Sequence, residues 1–163
     1  YGYSIAKLLG RGAFGSVVKA TKDGQTVAIK HITRKFRSWG ECLTQREVAS
    51  LDKCQRSGGA HRNIVSLKEA FRRKGKLYLV FEYVERTILE DLERNPDGMD
   101  PSEVKKCLWQ LLRSIDYCHA HNIIHRDICP ENVFIDHDMH VNLGDFEHAQ
   151  IIENFCNKKP IGK

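Results

Sequence analysis

The chain has 163 residues, of which 41% are hydrophobic and 29% are charged, with a formal net charge of +5. This balance is typical of one soluble globular domain and disfavours a disordered or fibrous chain. No apolar run approaches the roughly 18 residues of a membrane-spanning helix, and residues 1–10 lack the basic and apolar regions of a signal peptide. We therefore expect an intracellular protein, cytoplasmic or nuclear, with no membrane partner.

The cysteines and the basic residues limit the chemistry further. The six cysteines form no C-x-x-C pair, which argues against a zinc knuckle or a thiol redox motif and favours a reduced chain. A basic cluster at 72–76 lies between two strand-like runs and is interpreted as a solvated hairpin turn. A nucleic-acid patch is the less favoured alternative, because no aromatic residues interleave with the cluster. We therefore expect no nucleic-acid partner.

Short runs of alternating apolar and polar residues, separated by glycines, fill the first part of the chain. Such runs, rich in Val and Ile, predict antiparallel strands. One helix is predicted at 41–53. Strands are predicted at 4–9, 16–20, 26–32, 65–71 and 77–81. Together these elements predict a small lobe of five strands and one helix.

The second part of the chain changes to helical signals. Asp100 followed by Pro101 and Glu103 predicts a strong helix start, and a weaker capping box at Thr87 and Glu90 predicts a short helix to residue 93. The long helix carries apolar residues at the three-and-four spacing of one buried stripe. They are Val104, Cys107, Leu108, Leu111, Leu112, Ile115 and Cys118. Two short strands are predicted at 133–135 and 140–143, and the lobe boundary at 82–86.

A glycine-rich turn joins the first two predicted strands. Gly10, Gly12 and Gly15 with Val17 spell G-x-G-x-x-G-x-V, in which backbone N–H groups can approach phosphate oxygens without an intervening Cβ. The same glycine spacing occurs in dinucleotide-binding folds, but there it opens a helix, whereas a strand follows here. An ordinary glycine hairpin is the other alternative.

Lys30 stands in the apolar strand V-A-I-K, where an unpaired ammonium is costly to bury. It therefore needs an anionic partner, which Glu47 on the following helix can supply. The pair would hold the α- and β-phosphates of ATP through Lys30. The alternative is that Lys30 is an ordinary solvent-facing residue of a strand.

The segment 125–132 (HRDICPEN), followed by Asp145 and Phe146, closely resembles the catalytic loop and metal-binding motif of protein kinases. The resemblance implies that Asp127 accepts or orients the substrate hydroxyl proton, that Asn132 holds one magnesium ion and that Asp145 holds the bridging one. Magnesium is a hard cation that takes such oxygen ligands.

A competing interpretation of this region is a zinc site. The candidate ligands fall within a dozen positions, but their spacings match no zinc pattern in which both ligand pairs are close-spaced. They are Cys118, His119, His121, His125 and Cys129.

With these motifs in order, the chain is similar to a serine/threonine protein kinase of the cyclin-dependent-kinase-like family. Between the motifs, the stretches 76–85 (KLYLVFEYVE), 87–92 (TILEDL) and 118–127 (CHAHNIIHRD) resemble that family. The resemblance implies an α+β kinase-like fold with an ATP-binding lobe at 1–84, the start of a mainly helical lobe at 85–150 and a divergent tail at 151–163. It also implies transfer of the γ-phosphate of ATP to protein hydroxyls, with Mg²⁺.

The resemblance also implies which residues line the nucleotide site. Phe81 would close the back of the adenine pocket, Glu82 and Val84 would offer backbone groups to the base, and Phe134 would form the floor. Lys30, Glu47, Asp127 and Asn132 would form the catalytic set. The remaining nucleotide-binding residues would be Leu9, Gly10, Arg11, Gly12, Ala13, Phe14, Gly15, Val17 and Ala28.

Three departures from the family pattern weaken the expectation of activity. Cys129 stands where such kinases have a lysine, so one cation at the transferring phosphoryl group is missing. Glu147 replaces the glycine after the Asp-Phe pair, which adds a negative charge near the metal site. The tail resembles no activation segment, and no Ser, Thr or Tyr follows Tyr117.

These departures keep two functions open, an ATP-dependent kinase and a catalytically impaired module that binds nucleotide or a partner. By analogy, the helix with Glu47 would be the docking place of a cyclin-type regulatory protein, although 38–53 carries no docking signature. Because most of the large lobe is missing, we expect a marginally stable, aggregation-prone chain with an uncovered helix stripe.

Overall fold

The computed structural model describes residues 2–12, 15–56 and 59–152. Ala13 and Phe14, two of the residues assigned to the nucleotide site, lie outside the described residues, as does most of the predicted tail. Five strands form one antiparallel sheet in the order β1-β2-β3-β5-β4, which confirms the predicted α+β class. The strands are β1 (Ser4–Gly12), β2 (Gly15–Lys22), β3 (Gln25–Lys35), β4 (Leu67–Arg73) and β5 (Lys76–Glu82).

The alternation along β5 divides the apolar side chains between the two faces of this sheet. Leu77, Leu79 and Phe81 are buried in the main core, whereas Val80 joins a smaller cluster with Val27 on the other face. A period of two residues puts alternate side chains on opposite faces of a strand. The basic cluster forms the tight turn between β4 and β5, as the sequence predicts.

The predicted helix at 41–53 is two helices, α1 (Trp39–Leu43) and α2 (Arg46–Arg56). Thr44 ends α1, where its hydroxyl donates to the carbonyl of Glu41 at 2.9 Å. Gln45 then begins α2, because its side-chain oxygen accepts the N–H of Val48 at 3.0 Å. The single-helix prediction was wrong because these two polar side chains satisfy free backbone groups and so permit a break.

The second part contains α3 (Ile88–Arg94) and α4 (Pro101–Ala120). Thr87 and Glu90 form the capping box at the start of α3, and Asp100 caps α4 through the N–H of Ser102. No helix of the described ranges is long and apolar enough to span a membrane. Short strands form two small sheets, β6-β8-β9 and β7-β10. They are β6 (Arg86–Thr87), β7 (Ile123–Ile124), β8 (Val133–Ile135), β9 (Val141–Leu143) and β10 (Gln150–Ile151).

The apolar stripe of α4 is only partly buried. Cys107 and Cys118 are in the core and Leu111 packs against it, whereas Leu108 and Leu112 are exposed. The helix contacts β7 and β9 with one edge. We predicted that the whole stripe would be buried, and this prediction was wrong for Leu108 and Leu112. The buried residues of the stripe lie on the side of α4 that contacts β7 and β9.

A buried asparagine joins the segment after α2 to the second part of the chain. Asn63 is 1% exposed, and its amide donates to the carbonyl of Val141 at 2.7 Å and to Gln110 Oε1 at 3.0 Å. The N–H of Val65 donates to the carbonyl of Leu143. This pairing explains why β4 begins at Leu67 rather than at residue 65, since Val65 already bonds the other sheet.

Candidate functional site

Lys30 is the centre of a cluster of charges in which three carboxylates surround one ammonium. Its Nζ lies 2.9 Å from Glu47 Oε2, 2.8 Å from Asp145 Oδ1 and 3.1 Å from Glu147 Oε2. The contact with Asp145 is also a hydrogen bond. These four residues come from β3, from α2 and from the segment after β9. The fold therefore meets the requirement, predicted from the sequence, that Lys30 have an anionic partner.

The two buried members of this cluster have shifted pKa values. Burial raises the pKa of Glu47 from 4.5 to about 7, and the charges of Asp145 and Glu147 add to the rise, while Lys30 opposes it. Burial alone would lower the pKa of Lys30, but the charges of Glu47 and Asp145 outweigh burial and hold the pKa above its ordinary value. Lys30 is therefore an ammonium at every physiological pH.

Asp127 and Asn132 form the second half of the site. The Asn132 amide nitrogen donates to the backbone carbonyl of Asp127 and to its carboxylate Oδ2, both at 3.0 Å. Asn132 itself is buried in a 3₁₀ turn, 130–132, that begins at Pro130. These bonds fix the direction of the Asp127 carboxylate.

His125 connects the two halves of the site. Its Nε2 lies 2.8 Å from the carbonyl of Gly144, and its Nδ1 lies 3.3 Å from the N–H of Asp127. A carbonyl only accepts, so Nε2 carries the proton and Nδ1 accepts from Asp127. Burial lowers the pKa of His125, which agrees with a neutral ring that aligns the loop. The ring also packs edge-on against Phe146.

Gly144 precedes Asp145 and is packed against the predicted adenine floor. Its N–H donates to the carbonyl of Asn132 at 2.9 Å, and a Cβ on it would fall 2.6 Å from the ring of Phe134. Asp145 itself has the left-handed backbone conformation, with φ 54°. The carboxylate that faces Lys30 thus depends on a tight turn that has no room for a side chain at residue 144.

The glycines of the motif lie on the paired strands β1 and β2, and a strand rather than a helix follows the motif, which excludes the helix-opening arrangement of dinucleotide-binding folds. Gly12 pairs with Gly15 and Gly10 pairs with Val17 across β1 and β2. Added Cβ atoms on Gly10 and Gly12 would meet no atom within 4 Å. Leu9 and Arg11 are exposed on the same strand, at the open edge of the sheet.

The residues predicted to hold adenine come from β2, β3, β5 and β8. Ala28 pairs with Phe81, and Val17 pairs with Lys30. The N–H of Glu82 already donates to the carbonyl of Ser66, so this backbone group is not available to a base. Apart from the N–H of Glu82, the adenine-binding roles assigned to these residues and to Val84 and Phe134 stay predictions.

The donor atoms fit a magnesium ion and a nucleotide. Because Asn132 uses its amide nitrogen on Asp127, its side-chain oxygen is the atom left for a cation, and Asp145 offers a second carboxylate oxygen. The mostly buried ammonium of Lys30 lies on the strand next to the glycine-containing strand β2, and a positive charge in this position could bind phosphate. Within residues 2–12, 15–56 and 59–152, no three His, Cys, Asp or Glu side chains group closely enough to hold a metal, which removes the zinc interpretation.

Cys129 and Arg126 flank Asp127, the aspartate that is predicted to be catalytic. The Cys129 thiol lies 3.9 Å from Asp127 Oδ1, and burial raises the pKa of that thiol, which favours the neutral thiol over the thiolate. Neither form carries a positive charge. Arg126 donates to the carbonyl of His148 and to the side chain of Gln150. The sequence did not predict the contact of Glu147 with Lys30. The signal that could have indicated this contact was the extra negative charge that Glu147 places two positions after Asp145.

Comparison with known proteins agrees with this geometry. A family model described as protein kinase domain matches residues 3–160, and the chain therefore belongs to the protein kinase domain family. Among similar proteins, mouse cyclin-dependent kinase-like 5 is 43% identical over 150 residues, which are 91% of this chain and 16% of that protein. Mouse cyclin-dependent kinase-like 4 is 40% identical over 92% of this chain and 43% of its own length.

Human cyclin-dependent kinase-like 2 is 40% identical over 92% of this chain and 30% of its own length. The predicted resemblance to cyclin-dependent-kinase-like kinases is confirmed. The chain spans less than half the length of each of these three relatives.

Proposed function

We propose that the chain is part of an ATP-dependent protein serine/threonine kinase, and that on its own it binds nucleotide but transfers phosphate inefficiently. The observation that carries the proposal is the convergence of Glu47 and Asp145 on the buried ammonium of Lys30. Phosphoryl transfer depends almost entirely on positioning and on charge, and this cluster supplies both.

In this proposal each half of the site has a separate task. Lys30, aligned by Glu47, holds the phosphates. Asp127, oriented by the amide of Asn132, accepts the proton of a substrate hydroxyl. The side-chain oxygens of Asn132 and Asp145 would hold magnesium, which would supply positive charge to offset the negative charge of the transferring phosphoryl group. His125 keeps the two halves in register through its bonds to Gly144 and Asp127.

The second candidate function is a module that binds nucleotide or a partner without transferring phosphate. Cys129 favours it, because a neutral thiol near Asp127 leaves the developing charge without the expected cation. Glu147 favours it too, since its carboxylate already contacts Lys30. Regulatory docking at the helix with Glu47 and a cytoplasmic or nuclear location remain part of the proposal.

Calorimetry of magnesium-ATP with the chain and with its Lys30→Met variant tests the nucleotide site. We expect Lys30→Met to weaken binding by about tenfold or more, because a charged contact to phosphate is lost. Lys105→Met, on the exposed side of α4, is the control and should not change the affinity. Equal affinity in wild type and Lys30→Met would contradict the proposal. A folded chain that binds no ATP would favour a module that binds a partner alone.

A further inference from the structure

Glu147 stands in the 3₁₀ turn 146–148, and this turn is firmly anchored. Phe146 is fully buried in the main core, and the turn packs against α2. The Glu147 side chain is 18% exposed and points its carboxylate at Lys30 Nζ. The anchoring of the turn keeps this carboxylate beside the ammonium, so the contact is a feature of the folded site.

Three carboxylates contact the ammonium of Lys30. Those of Glu47, Asp145 and Glu147 lie within 3.1 Å of Nζ, and the contact with Asp145 is a hydrogen bond. A phosphate oxygen that approaches Lys30 therefore competes with these carboxylates for the ammonium. Glu47 is too deeply buried to turn to water, and Asp145 carries the oxygen needed for the cation. Glu147 is the carboxylate that a phosphate can displace.

The charges around the phosphate position add to this competition. Lys30 brings one positive charge, whereas the carboxylates of Asp145 and Glu147 bring two negative charges even when Glu47 holds a proton. Cys129 supplies no compensating cation. The cluster is therefore negative before any nucleotide enters, and a polyphosphate brings several more negative charges. An uncharged nucleoside does not experience this electrostatic repulsion.

A role for Glu147 as a further metal ligand is less consistent with the structure. Its carboxylate faces the ammonium of Lys30 instead. Glu147 therefore acts on Lys30, the residue that would bind the phosphate.

We propose that Glu147 is a specificity-determining residue that occupies the phosphate-binding ammonium and biases the cleft toward adenine ligands without a polyphosphate. This inference rests on the proposed function, namely that the cleft binds adenine nucleotides. The predicted adenine subsite, with Ala28, Phe81 and Phe134, is built by other elements. Glu147 therefore acts on the phosphates and leaves the recognition of the base unchanged.

Calorimetry with two ligands, adenosine and ATP, each in magnesium buffer, tests the inference on the 163-residue chain. Glu147→Gln keeps the size of the side chain and removes its charge, and Glu147→Gly removes the side chain. We expect both variants to bind ATP about tenfold more tightly and adenosine with unchanged affinity. Glu93→Gln, an exposed change on α3, is the matched control. Circular dichroism checks that each variant is folded.

The remaining outcomes separate this inference from the proposed function. If ATP binds and Lys30→Met weakens it, while both Glu147 variants match wild type, the inference is wrong and the proposed function stands. If adenosine and ATP both tighten equally, Glu147 has a general structural effect and the specificity role is wrong. If neither ligand binds to any folded variant, both proposals are wrong.

Discussion

Lys30 Nζ and Asp145 Oδ1 lie 2.8 Å apart although 115 positions separate them in the sequence. The contact joins β3 of the large sheet to the segment that follows β9. Each side chain fixes the other, because the ammonium is 14% exposed and needs compensating charge, while the Asp145 carboxylate gains a donor. The predicted nucleotide-binding half and the predicted metal-binding half of the site are thus joined by a charged hydrogen bond.

Glu47 should make the stability of the chain depend on pH. Its pKa is raised to about 7 in the fold, against 4.5 for an ordinary carboxyl. The folded state therefore holds a proton that the unfolded state has lost, and this contribution to the free energy of unfolding falls as pH rises from 4.5 to about 7. We expect a loss on the order of 3 kcal/mol across this range.

The measurement is urea denaturation of wild type and Glu47→Gln between pH 5 and pH 8. The difference in free energy of unfolding between the two proteins should shift in favour of Glu47→Gln as pH rises, because glutamine does not titrate. Parallel curves over this range would show that Glu47 is already ionised at pH 5. Glu93→Gln, an exposed change on α3, controls for the loss of one acidic group.

Asn63→Ala should destabilise the chain by about 2–3 kcal/mol. The substitution removes two hydrogen bonds and takes the side-chain donor from the carbonyl of Val141, while Gln110 Oε1 keeps the N–H of Val141. Asn95→Ala, which removes an exposed bond to the carbonyl of Asp91, should cost less than about 1 kcal/mol. Thermal and urea denaturation give both numbers. Equal costs for the two substitutions would mean that the buried amide does not join the two parts.

Catalytic transfer should return when the two departures are reversed together. We expect Cys129→Lys with Glu147→Gly, in a chain extended by a complete kinase lobe, to raise the phosphorylation of a generic protein substrate by about 100-fold or more. The first change adds a cation near Asp127 and the second frees Lys30. Radiolabelled phosphate transfer measures the gain, and Asp127→Asn in the same background should abolish it. Unchanged transfer with ATP still bound would contradict our account of Cys129 and Glu147.

The exposed side of α4 should drive self-association. Leu108 and Leu112 are 52% and 63% exposed, and Trp109 lies between them. Exposed apolar side chains that cluster on one helix favour association. Sedimentation velocity should therefore show that Leu108→Gln with Leu112→Gln keeps the chain monomeric at concentrations where wild type aggregates. Lys105→Gln is the control, and identical concentration dependence in all three proteins would exclude this face as the cause.

The sequence predicted the pairing of Lys30 with Glu47 because a lysine in an apolar strand requires an anion and the next helix carries one. It also predicted the N-caps of α3 and α4 from the local order of residues. It did not predict the break at Thr44, since the side-chain bonds that permit the break compete closely with a continuous helix. The Glu147 contact depends on tertiary packing that no local pattern encodes.

Gly144 links the residue predicted to contact the base, Phe134, to the residue predicted to hold the cation, Asp145. Its missing side chain leaves room for the Phe134 ring, while its N–H and carbonyl bond Asn132 and His125. A single methyl group at this position would have to push the Phe134 ring aside, or push the backbone that carries Asp145. The predicted floor under the base and the predicted cation ligand are therefore in steric contact through one residue, and neither can move far without the other.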